Sequence, residues 1–156
     1  MMTENYSYQL ERGLQFQDYV TDIIASELCI NLASYSSKKY QLKGENKQGI
    51  EIKFDDRHKD TGNLYIEIAE KSNPANLQFV PSGIYRDDNS WLYVIGDYQQ
   101  LFIFGKKTLV NIHKNGSDKT FKAVGNETSK GFLIPEDKIE VYALKILETK
   151  DTIFNN

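Results

Sequence analysis

The chain has little of several things, and each shortage excludes a class. It holds one cysteine, Cys29, so no internal disulfide forms and no cysteine-cluster zinc site is available. Two histidines, His58 and His113, are too few for a histidine-rich metal cage, so any metal must be held by carboxylates. Three prolines and ten glycines among 156 residues exclude collagen-like repetition and proline-rich disorder. No apolar run approaches the roughly 18 residues needed to cross a bilayer, and the start, MMTENYSYQLERG, has neither a basic nor a hydrophobic leader character. The expectation is a cytoplasmic protein that does not engage a membrane. Positive charge is also scarce: 19 Lys plus Arg stand against 22 Asp plus Glu, a formal charge of -3. Coating a polyanion by net charge alone is thereby excluded.

What is present suffices for one domain. Residue types AVILMFWYC make up 40% of the chain and charged ones 26%, enough apolar material for a single core over residues 1–156. Charge is unevenly placed, with nine acids and five bases in residues 51–100 but seven acids and nine bases in residues 101–156. This pattern fits a metal site beside a polyanion surface as well as an ordinary solvated exterior.

From Gln9 to Leu28, apolar residues recur at spacings of three and four, which predicts a long helix with one buried stripe. Ile30, Leu32, Tyr40 and Leu42 are strand-like. Ile50 to Asp55 alternates strictly, which predicts a strand with one face in the core and Glu51, Lys53 and Asp55 on an exposed face. On that reading Glu51→Ala spares the fold. A polar loop carrying Asp55, Asp56 and a solvated His58 follows, then a Gly62-Asn63 turn and a second alternating strand, Leu64 to Ile68. Residues 91–95 and 101–104 read as strands, residues 106–115 as a short helix, and 132–134 and 141–147 as extended pieces. Most of the ten Tyr and eight Phe are expected in the core. The sum is an α+β domain, an N-terminal helix followed by a mixed sheet with flanking helices.

If strand 50–55 pairs with strand 64–68, Glu51, Lys53 and Glu67 share one sheet face. A hairpin closed at NKQG would bring Glu45 nearly opposite Glu51. Carboxylates grouped in this way suit a hard cation such as Mg2+, which prefers oxygen ligands, and a neighbouring lysine suits phosphodiester hydrolysis. Pro81-Ser82-Gly83-Ile84 offers amides and a hydroxyl to a phosphate or forms an ordinary turn, and Lys106, Lys107 and Lys114 are candidate backbone contacts, with Lys71 and Arg86 nearer the site.

With its long first helix and the string GIEIKFDDRHKDTGNLYIEI, the chain resembles the PD-(D/E)XK nucleases, in particular a phage and bacterial subgroup with an E-x-K strand, a following Asp and a Gly-Asn before a strand ending in Ile-Glu. The likeness covers mainly residues 10–105. It implies a restriction-endonuclease-like core, a Mg2+- or Mn2+-dependent nuclease, DNA as partner and a possible homodimer. Glu51 would be a metal ligand, Lys53 the catalytic lysine and Glu67 a further catalytic or metal-binding acid. By that likeness Asn63 would be an accessory site residue that faces nucleic acid; Lys71, Ser82 and Arg86, read from their own chemistry, are further candidate nucleic-acid contacts, and Asp55 is a candidate accessory residue. No Pro-Asp pair precedes Glu51-Ile52-Lys53, so the missing carboxylate is expected from Glu45, Glu67 or, as in the resolvase-like branch, Glu11. The competing expectation is a non-catalytic phage or mobile-element accessory protein of the same fold that binds a host protein or nucleic acid.

Overall fold

A computed structural model describes residues 4–28, 49–116 and 123–148. In chain order the elements are helix α1 (Glu4–Leu28), strand β1 (Ile50–Phe54), the single turn α2 (His58–Thr61), β2 (Asn63–Glu70), β3 (Val80–Pro81), a 3-10 turn (Gly83–Tyr85), β4 (Leu92–Gly96) and β5 (Gln100–Gly105). Helix α3 (Lys106–Asn115), β6 (Ala123–Gly125), β7 (Ser129–Pro135), α4 (Glu136–Tyr142) and β8 (Lys145–Glu148) complete them. The protein is an α+β fold with two four-stranded sheets, ordered β1-β4-β5-β8 and β3-β2-β7-β6.

Helix α1 extends one turn further toward the N-terminus than its apolar pattern predicts. Its stripe is Phe16, Val20 and Ile24, spaced by four and buried against Ile50, Ile52, Val94, Leu101, Ile103 and Leu147 of the first sheet. Truncating Phe16 to alanine there costs about 3–5 kcal/mol. The opposite face of that sheet presents Tyr93, Ile95, Phe102 and Phe104 to Leu64, Ile66, Phe132 and Ile134 of the second sheet, with α3 and α4 closing the same core.

The expected pairing of strand 50–55 with strand 64–68 does not occur. β1 pairs in parallel with β4, and β2 pairs antiparallel with β7 and β3, so the two strands belong to different sheets. The physical reason lies in the connection. α2 ends on Gly62, whose φ of 68° turns the chain sharply, and β2 leaves into the second layer instead of doubling back. A parallel pair needs a crossover of a dozen or more residues, and the stretch containing β2, β3 and the 3-10 turn supplies it.

Two further expectations change. The extended piece at 141–147 is the end of α4 followed by β8. His58, expected in solvent, is 3% exposed and packs edge-on to Phe102. Cys29, the strand-like residues 30–42, Glu45 and its hairpin lie outside the described residues.

Candidate functional site

In paired strands, residues in register point to the same side. Glu51 is in register with Tyr93 and Lys53 with Ile95, so the E-x-K side chains leave β1 on the face that meets the second sheet. The sequence pattern makes this face polar. Tertiary packing makes it interior: Glu51 is 0% exposed and Lys53 33%. The expectation that Glu51 stands on an exposed face is therefore corrected, because Glu51 is buried between the two sheets.

Burying a carboxylate requires compensation. Lys53 Nζ lies 2.8 Å from Glu51 Oε1, and Arg86 NH1 lies 3.4 Å from the same oxygen. Oε2 is equally buried and has no hydrogen-bond partner among the described residues. Tyr93 donates its hydroxyl to the carbonyl of Gly83. Burial, then the Glu51 charge, push the Tyr93 phenol well above its ordinary range, so it stays a neutral donor.

Glu67 reaches the site from the other sheet. Ser82 Oγ donates to its Oε1 at 2.9 Å and Ser129 Oγ to its Oε2 at 3.0 Å, while Tyr65 Oη lies 2.5 Å from Ser129 Oγ. Gly83 permits this approach: its φ is +52°, and a Cβ there would stand 2.1 Å from the carbonyl oxygen of Glu67. Lys53, Asp55, Asn63, Tyr65, Glu67 and Tyr93 all contribute to the lining of one cleft of about 530 Å³.

The remaining expected residues divide. Asp55 shapes the cleft's floor, accepting from the backbone N–H groups of Arg57 at 3.1 Å and Tyr65 at 3.2 Å. Asn63 donates its amide to the carbonyl of Thr61 at 2.7 Å. Ser82 is fully buried on Glu67, and Arg86 bridges Glu51 to Glu70, 3.9 Å away. Lys71 instead lies 4.6 Å from the Phe79 ring centroid, and Glu11 borders a second cavity. Lys106 is not a free backbone contact, since its ammonium sits on Asp88 at 3.2 Å and on the Arg86 carbonyl at 2.9 Å. His113 is exposed, 2.6 Å from Tyr85 Oη.

Sequence reasoning gave no site role to Tyr93, Ser129 or Tyr65. Tyr93 sits in an apolar run that gives no sign of a polar neighbour, and Ser129 comes from a loop-rich stretch with no local signal.

Among the described residues, no three His, Cys, Asp or Glu side chains gather as a metal-binding group. The described donor set nevertheless fits a hard cation in part. The Glu51 carboxylate oxygen that lacks a hydrogen-bond partner is the kind of donor Mg2+ takes. No helix among the described residues is long and apolar enough to cross a membrane. The chain matches no protein-family model, no curated protein and no solved structure.

Proposed function

We propose that this chain is a Mg2+- or Mn2+-dependent nuclease that hydrolyses DNA phosphodiester bonds in the cytoplasm, with Glu51, Lys53 and Glu67 at its reaction centre. One observation carries the reading: a fully buried carboxylate, one of whose oxygens has no hydrogen-bond partner among the described residues, stands beside an amine that lines a cleft. A buried ion pair is an expensive way to hold a strand, because apolar residues of similar volume generally serve as well or better. Its presence next to a cleft favours a chemical role.

Glu51 would hold the cation through Oε2, while Lys53 and Arg86 sit on Oε1. A bound Mg2+ lowers the pKa of a coordinated water and offsets phosphate charge. Lys53, with a third of its side chain exposed, is placed to donate to a phosphate oxygen and stabilise the charge that develops there. Glu67, clamped by two hydroxyls, presents a fixed acceptor for a proton of the attacking water. Cutting both strands of a duplex calls for two copies, so a homodimer is the natural assembly.

One observation favours the non-catalytic alternative, a protein that binds a host protein or nucleic acid. Lys53 and Arg86 both converge on Glu51 Oε1, a closed ion cluster that needs no further partner on that oxygen. A cleavage assay separates the readings. Supercoiled, linear, single-stranded and branched DNA are incubated with Mg2+ or Mn2+, with a chelator control and the Lys53→Ala variant. Metal-dependent cutting that disappears in Lys53→Ala is expected. Absence of cutting on every substrate by a folded protein would shift the assignment to the binding protein.

A further inference from the structure

We propose that a second cavity, between α1 and the end of β1, binds one unpaired nucleobase beside the Lys53 cleft, so that the preferred DNA carries single-stranded or unstacked nucleotides. The identity of the polymer rests on the nuclease reading above; the pocket's chemistry does not. The cavity is about 310 Å³ and is lined by Tyr8, Glu11, Arg12, Gln15, Phe54 and Tyr98. That is at the small end of the range for ligand sites.

Half of this lining is aromatic, and it is not core. Tyr8 is 59% exposed and Tyr98 42%, whereas Phe16, Tyr93 and Phe104 are buried. Tyr8 and Tyr98 therefore lie outside the core that most aromatic residues are expected to join. The walls are held in place from behind. Phe54 stacks on Phe16 at 4.6 Å, Tyr98 meets Phe54 edge-on at 5.6 Å and Tyr19 at 4.8 Å, and Tyr19 Oη donates to the Tyr98 carbonyl at 2.8 Å. Rings fixed in this way lose little freedom when a ligand stacks on them.

Arg12 adds a planar cation. Its guanidinium lies 5.0 Å from the Phe54 centroid and 5.6 Å from that of Tyr8, and it is tied to Asp56 at 2.5 Å. Because Asp56 neutralises it and Glu11 is acidic, the cavity lacks the surplus positive charge that a phosphate would need. It offers instead stacking faces and, at Glu11 and Gln15, a carboxylate acceptor and an amide 3.4 Å apart. Those are groups that hydrogen-bond the Watson–Crick edge of a base, and a base inside a duplex has neither that edge nor its faces available. Phe54 borders both cavities, and Asp56, which anchors Arg12, also lines the larger one. A base seated here would place the adjoining backbone at the cleft.

The test measures binding apart from cutting. Oligonucleotides carrying 2-aminopurine, single-stranded or in a blunt duplex, are titrated in chelator with wild type, Tyr8→Ala, Tyr8→Phe, Gln15→Ala and Lys53→Ala, each checked for folding by circular dichroism. Single strands should quench on binding and the duplex should not. Tyr8→Ala should weaken single-strand affinity on the order of ten-fold, and Tyr8→Phe, which keeps the ring, should restore it. Equal binding of duplex and single strand, or unchanged affinity in both Tyr8→Ala and Gln15→Ala, overturns the pocket. Absence of cutting with quenching intact refutes the nuclease reading alone and leaves the base pocket standing.

Discussion

Lys53 Nζ lies 2.8 Å from Oε1 of Glu51, two residues earlier on the same strand, and both side chains enter the space between the two sheets. The pair is joined by Arg86, so one buried carboxylate faces two cations, and Arg86 also lies 3.9 Å from Glu70. This arrangement ties the chemistry of the cleft to the stability of the fold, and the consequences can be measured.

Removing the Glu51 side chain should destabilise the protein and, on the nuclease reading, abolish cutting. Glu51→Ala removes a buried carboxylate that Lys53 and Arg86 contact, a loss of about 3–5 kcal/mol for a broken buried pair. Lys53→Ala removes a group that is partly in solvent and should cost less. Urea unfolding of both variants checks the order, and a Glu51→Ala protein as stable as wild type would contradict the burial.

Ser82 should matter through Glu67 alone. Its hydroxyl is buried and donates to Oε1, so Ser82→Ala should cost about 1–3 kcal/mol through the lost bond and the unsatisfied acceptor. A double-mutant cycle with Glu67→Gln should show coupling between the two.

Gly83→Ala should be among the most damaging single changes. The residue combines a φ of +52° with a Cβ position 2.1 Å from the Glu67 carbonyl oxygen, so neither backbone nor neighbour can accept the methyl group without moving. A loss of at least about 2 kcal/mol and broken Ser82–Glu67 contact, read by thermal unfolding and by NMR shifts of β2, are the expected results.

Acid should weaken the fold through Asp97. Burial acts to raise its pKa, but the N–H groups of Gln100 and Gln99, together with His58 and Lys59, outweigh it and hold the carboxyl below its usual range. A pKa lower in the folded state means that the folded protein keeps the group ionised while the unfolded chain takes up a proton. The contribution is therefore complete above the unfolded value of about 3.9 and is lost as pH falls through the folded value. Melting temperatures across the acid range should fall less steeply in Asp97→Asn than in wild type; parallel curves would count against this assignment.

Much of the fold was legible in local periodicity. The Phe16, Val20, Ile24 stripe recurs every four residues, and Ile50-Glu51-Ile52-Lys53 alternates, so helix α1 and the sidedness of β1 follow from short stretches of chain. The Gly62-Asn63 turn was equally local. Strand partners were not, because alternation says which residues share a face and nothing about which strand lies alongside.

The sequence by itself therefore determined that Glu51 and Lys53 project together from a strand whose other face is apolar. It also determined that the chain is an α+β protein. Only the tertiary structure decided that this polar face is interior, that Glu67 arrives from a second sheet, and that Tyr8 and Tyr98 stand outside the core. The reason is physical: side-chain direction is fixed by bonds between neighbours, whereas burial depends on what distant segments are laid against that face. For Glu51, the decisive partners are Arg86 and Tyr93, more than thirty residues away in the chain.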